Sequence, residues 1–160
     1  ALHPDDPPIS LFGLPRIVSN KKDYQFVLDQ YKSQNNGITF CTGSLASNIN
    51  NDIYEIFNLF KDKIHFIHLR NIKIEKDNIS FIESDHLEGD INFVKMINMI
   101  LNEEKIRKNN IEDYEIPMRP DHGHCLLDDQ NKKLNPGYSC IGRMKGLAEI
   151  RGIIKSLNYN

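Results

Sequence analysis

No uninterrupted apolar run in this 160-residue chain approaches the ~20 residues a helix needs to cross a bilayer, and its first residues carry no charged segment followed by an apolar signal core. Both absences lead us to expect a cytoplasmic protein with no membrane partner. A basic stripe is missing too: 20 Lys and Arg are scattered among 22 Asp and Glu, for a net charge of −2. Nothing there would track a phosphate backbone, so nucleic acid is not an expected partner. Cysteine is scarce and odd in number, with Cys41, Cys125 and Cys140 alone. Without a secretory mark, this reads as reduced thiols and not as a disulfide framework. An initiator Met is also lacking. Ala1-Leu2-His3-Pro4 looks like the end of a strand whose beginning is missing, so a fragment is expected.

What remains is ordinary globular composition, enough for one domain with a core. Four prolines between Pro4 and Pro15, with Gly13, predict an extended loop. Tyr24, Val27, Leu28 and Tyr31 fall at helical spacing behind Ser19 as a candidate N-cap, and Asn35-Asn36-Gly37 ends that helix. Ile38 to Cys41 reads as a short buried strand. The unit then repeats: Asn51 is a candidate cap for a helix facing inward through Ile53, Ile56, Phe57 and Phe60, and a strand follows from Ile64 to Leu69. This rhythm is that of parallel βαβ units. Alternation from Ile72 to Glu83 around Asp77-Asn78 suggests an inserted β-hairpin. Next come a helix from about Asp90, itself the candidate cap, to Glu104, a strand from Tyr114 to Met118, an aperiodic polar stretch from His122 to Gly146, and a last helix using Leu147, Ile150, Ile154 and Leu157. A structureless stretch of that length in a compact domain is usually functional or disordered.

Chemistry-bearing groups collect at strand ends. Apolar runs stop at His3, at Cys41, at His68 and at Asp121. Side chains alternate along a strand, so His68 shares a face with Phe66 and Arg70 while His65 sides with Ile67 and Leu69. The apolar pair suits the helix-covered face, which makes His68 the inward group and His65 the outward, structural one. Carboxyl ends of parallel strands form the ligand-binding rim in barrels and doubly wound sheets alike. Taken singly, a Cys after an apolar strand is most often a small buried hydrophobe, and a strand His most often a hydrogen-bonded core residue. Four such groups on consecutive strand ends instead form a two-nitrogen, one-sulfur, one-oxygen set for a divalent ion. Ligand type alone favours zinc; open positions for substrate favour manganese or ferrous iron. Cys125 and Cys140 lack metal-ligand spacing and read as packing residues.

The segments ALHPDDPP, FGLPRIV, TFCTGSL, IHFIHLRN, SDHLEGD, MRPDHGH and NPGYSCIGRMKGLAEIRG, in that order, resemble the C-terminal half of the bacterial mannonate dehydratases. That resemblance implies a xylose isomerase-like (β/α)8 TIM barrel, of which residues 1–160 would be the C-terminal part of a single catalytic domain. It also implies loss of water from D-mannonate to give 2-dehydro-3-deoxy-D-gluconate in hexuronate breakdown, with Mn2+ or Fe2+ as cofactor, in a homo-oligomer that needs the N-terminal half. The family's metal ligands fall on His3, Cys41, His68 and Asp121, and its acid and base groups near His122 and Tyr138. Arg70 sits where it could hold the substrate carboxylate or a hydroxyl.

Dehydration removes a weakly acidic proton beside a carboxylate and expels hydroxide from the next carbon. The base is then His122 or, less readily, Asp121, and the acid Tyr138 or His122; an Asp bound to a cation is a poor base, which favours His122 as base and Tyr138 as acid. His124 is expected to position His122 or substrate, or to be structural, and His86 to contact substrate or a loop. Lys132, Lys133, Arg143 and Lys145 read as a solvated face. The runner-up is a metal-dependent sugar isomerase on the same barrel, which would need further carboxylate ligands; Asp5, Asp6, Asp85 and Asp128 are available but do not sit at the right strand ends. A third reading is a non-catalytic half-barrel.

Overall fold

The computed structural model describes residues 1–110 and 114–158. It is a mixed α/β structure around a parallel sheet. β1 (Ile38–Cys41) pairs in parallel with β2 (Ile64–Leu69), which pairs in parallel with β5 (Met118–Pro120). Leu2 extends this sheet on the far side of β1: it bridges Ile38 in parallel, donates its N–H to the Gly37 carbonyl at 2.9 Å and accepts from Thr39 N at 2.9 Å. The register sets Cys41 beside His68 and His68 beside Arg119. The strand tails His3, Cys41 and His68, with Asp121 just past β5, are thereby gathered at one end of the sheet.

Helices pack where the apolar spacing requires. α1 (Lys21–Gln30) precedes β1, α2 (Thr42–Ala46) starts directly after Cys41, α3 (Ile53–Phe60) leads into β2, α4 (Phe93–Arg107) precedes β5, and α5 (Cys140–Leu157) closes the chain. Their apolar faces meet the covered side of the sheet in one core holding Ile38, Phe40, Ile64, Ile67, Leu69, Phe57, Met96, Ile97 and Ile150. Phe40 and Phe57 meet edge to face with ring centroids 5.5 Å apart, which adds orientation to the area they bury. The parity expected of β2 holds. Ile67 and Leu69 are fully buried in this core, and His65 lies over the open backbone of Gly37, where a Cβ would be 2.5 Å from the imidazole.

Helix caps differ from expectation by one or two residues, each for a visible reason. Asn20 caps α1, accepting from Lys22 N and Asp23 N, while Ser19 is tied to Asp23. Asp52 caps α3, because the Asn51 amide is committed to the carbonyls of Ser19 and Leu45. Asn92 caps α4, since Asp90 turns back to accept from Ile74 N at 2.8 Å.

Two larger differences concern the end of the chain. The run Tyr114–Met118 is not the strand; pairing starts at Met118, because Pro117 has no N–H to give and Ile116 N donates to the Glu104 side chain at 2.8 Å. The polar stretch 122–146 is also more ordered than its sequence suggests. It contains a 3-10 turn, Leu127–Asn131, and the first turns of α5. Ser139 caps α5 by accepting from Gly142 N at 3.0 Å, and Asp129 accepts from Ser139 Oγ and Ile141 N. Between β2 and α4, β3 (Asn71–Ile74) and β4 (Phe81–Ser84) pair antiparallel in a separate two-stranded sheet, with Ile72 opposite Glu83.

Candidate metal centre and active site

Three side chains converge where the strand ends meet. Ligand atoms of His3, Cys41 and His68 all lie within 4.8 Å of one another. His3 Nδ1 is 2.6 Å from the Pro4 carbonyl, which can only accept, so that nitrogen carries the hydrogen and Nε2 is left with its lone pair. Nε2 faces His68 Nδ1 at 3.1 Å. Cys41 is fully buried, with Ser44 Oγ donating to its sulfur at 3.1 Å. Asp121, 7% exposed, brings Oδ1 to 3.6 Å from His68 Nδ1 and also accepts from Arg119 Nη2 at 3.0 Å. Two imidazoles and a thiol meet in one small space, with the Asp121 carboxylate against His68, and these are donor types that suit a divalent cation.

A second layer continues from Asp121. His122 Nε2 lies 3.8 Å from Asp121 Oδ2, and His122 Nδ1 lies 2.9 Å from Glu83 Oε1. The ring is bracketed by Gly137, where a Cβ would just touch it at 3.5 Å, and by Tyr138, edge-on at 5.4 Å. Tyr138 is 48% exposed, with the Arg143 guanidinium 5.7 Å from its ring centre. Thus the two groups named for proton transfer are neighbours, one half-buried and one open to solvent.

Arg70 is placed differently from the substrate-facing group the sequence suggests. It is 6% exposed and already engaged: Nε donates to Glu83 Oε1 at 2.7 Å, Nη2 closes on the same oxygen, and Nη1 donates to Asp6 and, at 3.3 Å, to Ser44 Oγ. Phe81, two residues before Glu83 on β4, sets its ring 5.7 Å from the guanidinium carbon. Burial pushes the Glu83 carboxyl up, but hydrogen bonds from His122 and Arg70, with the guanidinium charge, hold it below its ordinary range.

His86 is also remote from the cluster in its contacts. It is buried between α4 and α5, against Phe93 at 5.7 Å, Glu149 at 3.9 Å and the bare backbone of Gly146. His124 stays near the surface, with Nε2 3.3 Å from the Glu83 carbonyl and Nδ1 3.4 Å from Asp85. Three of the carboxylates available to an isomerase are engaged elsewhere: Asp5 accepts from Ile17 N and Val18 N, Asp6 meets Arg70, and Asp85 meets Lys145.

Glu83, Ser44 and Arg119 are the residues sequence reasoning left without a site role. Only Arg119 had a signal, two residues before Asp121 and therefore on its face; it lies half-exposed at the mouth, 6.0 Å from the Phe66 ring centre. No helix among the described residues is long and apolar enough to cross a membrane.

A sequence model of the family described as D-mannonate dehydratase (UxuA) matches residues 1–160. Mannonate dehydratase 2 of Agrobacterium fabrum is 50% identical over 156 residues, 98% of this chain and 39% of that protein. The mannonate dehydratase of Rhizobium meliloti is 49% identical over 160 residues, 98% of this chain and 40% of that one. The crystal structure of the mannonate dehydratase from Streptococcus suis serotype 2 superposes with a TM-score of 0.82 at 34% identity, over 98% of this chain and 42% of that one. The chain therefore spans about two fifths of the length of the relatives it matches. Across all of its 160 residues, it belongs to the D-mannonate dehydratase family.

Proposed function

We propose that these residues form the C-terminal part of a (β/α)8 TIM barrel that dehydrates D-mannonate to 2-dehydro-3-deoxy-D-gluconate in hexuronate breakdown. The observation that carries this reading is the convergence of His3, Cys41 and His68, with Asp121, His122 and Tyr138 in sequence beside them. In it, His3, Cys41, His68 and Asp121 hold a Mn2+ or Fe2+ ion, the β3–β4 hairpin is an insertion, the other strands come from the N-terminal half, and the enzyme is a cytoplasmic homo-oligomer. When bound, such an ion supplies Lewis acidity that stabilises negative charge developing on substrate oxygens.

The chain's own residues divide the remaining work. His122 takes the proton from the carbon beside the carboxylate, through the nitrogen that does not face Glu83. The Tyr138 phenol protonates the departing hydroxyl, and its exposure lets it exchange that proton with solvent afterwards. Asp121 orients rather than abstracts, because its oxygens are taken up by the ligand cluster and Arg119. Arg119, with most of its N–H donors at the open mouth, receives the substrate carboxylate. Arg70 serves instead to fix Glu83 and Asp6, since its donors are already occupied. His124 steadies the Glu83–Asp85 segment, and His86 supports the α4–α5 junction.

Steady-state dehydration of D-mannonate by the full-length enzyme, reduced and supplied with Mn2+, tests the reading. Product should appear with metal and vanish after chelation. A metal-loaded, folded enzyme that leaves D-mannonate unchanged would remove it.

A further inference from the structure

Glu83 presents one oxygen, Oε1, to two partners at once. Arg70 donates to it through Nε at 2.7 Å and again through Nη2, and His122 Nδ1 approaches it at 2.9 Å. A guanidinium has only donors, so that oxygen is an acceptor, and the charge beside it keeps the carboxylate ionised. An ionised carboxylate has no hydrogen to give. The His122 contact therefore requires a hydrogen on Nδ1, and in the neutral tautomer that leaves Nε2 bare on the side of Asp121. Nothing in this arrangement is loose: Arg70 is 6% exposed, anchored at its other end on Asp6 and Ser44, and flanked by the Phe81 ring.

We propose that Glu83 is a positioning residue for the dehydration. Pinned by Arg70, it holds the Nδ1–H of His122 and so presents Nε2 as the proton-accepting nitrogen. The inference rests on the reading of His122 as general base. It gives β3 and β4 a function as well, since they carry Glu83 to a site that the parallel strands alone would leave without an orienting partner.

Two measurements on the full-length enzyme test it. The first is the ring-nitrogen NMR signature of His122 at pH 8, with histidine 15N-labelled and the enzyme loaded with diamagnetic zinc. We expect hydrogen on Nδ1 and a bare Nε2; hydrogen on Nε2 with a bare Nδ1 would overturn the proposal. The second is Glu83→Gln under Mn2+. We expect kcat to fall about 10- to 100-fold, the range for partners that orient an imidazole, with KM and bound metal near wild type. An unchanged kcat, or a loss confined to KM, would overturn it. Should Glu83→Gln fail to fold, the wild-type tautomer still decides. Failure of the underlying reading looks different: His122→Gln would then retain wild-type turnover whatever the NMR reports.

Discussion

Gly142→Ala should damage catalysis from a position that bears no chemistry. Gly142 lies in the first turn of α5, and its Cα side rests on the backbone that follows His122. A methyl there would stand 2.7 Å from Gly123 C and from His124 N, and closer still to the His124 carbonyl. Ordinary contact begins at 3.4 Å, so Gly123 C and His124 N must withdraw by about 0.7 Å and the His124 carbonyl oxygen by about 1.3 Å. Backbone cannot rotate away as a side-chain tip can. Overpacking of this kind costs roughly 1–3 kcal/mol. The segment that moves carries His122 on one side and, through the Gly123 N–H to Gly137 carbonyl bond at 2.9 Å, Tyr138 on the other. A shift near 1 Å in reacting groups costs up to about 100-fold in rate. We expect kcat to fall tenfold or more in Gly142→Ala, with bound metal retained and the melting temperature lowered. Gly152→Ala is the matched control, because it adds the same methyl to the same helix where no atom lies within 4 Å. There the change should stabilise by about 1 kcal/mol through helix propensity. Wild-type turnover in Gly142→Ala, or equal loss in both variants, would refute the reasoning.

Three further outcomes are expected. Cys41→Ser, which swaps a buried thiol for a harder, less acidic hydroxyl, should reduce bound metal after dialysis; unchanged metal content would remove Cys41 from the ligand set. Arg119→Ala should raise KM for D-mannonate about tenfold or more, as loss of a charge-assisted contact predicts, with the fold intact; an unaltered KM would place the substrate carboxylate elsewhere. His86 is held below its ordinary pKa, chiefly by burial and against the pull of Glu149, so the folded state keeps it neutral where the unfolded chain would protonate. Thermal stability should therefore decline as pH falls below about 6.5, and less so in His86→Gln; equal pH dependence in both would show that burial of His86 is not the cause.

The parallel repeat was readable because its cause is local. β-branched and aromatic runs, helical spacing behind capping residues, and the two-residue parity of β2 each operate within a few residues. They placed β1 and β2 with their observed limits and α3 by its buried face. What escaped depends on partners distant in the chain. Asn51 and Asp90 have the chemistry of caps, but tertiary contacts at Leu45 and Ile74 claim their side chains. The start of α5 was hidden by Gly142 and Gly146, which weaken a helical pattern yet are there because His124 backbone and the His86 ring pass where a Cβ would sit.

The same distinction explains which parts of the site were legible. His3, Cys41, His68 and Asp121 each end an apolar run, so strand topology alone brings them together once the sheet is parallel. Arg70 shares the His68 face and looks from sequence like a group offered to substrate. Its availability, however, depends on whether anything else reaches it first, and both carboxylates that do come from outside the parallel strands: Asp6 from the proline-rich loop and Glu83 from β4. A buried guanidinium facing open solvent or substrate alone would bear a large desolvation cost between turnovers, whereas two resident carboxylates remove that cost and leave Arg70 a fixed donor. Fixed donors orient neighbours well and bind incoming anions poorly. On that ground the proposed reaction assigns the charge for substrate to the half-exposed Arg119 and the charge for architecture to Arg70, a division that side-chain parity on the strand has no means to express.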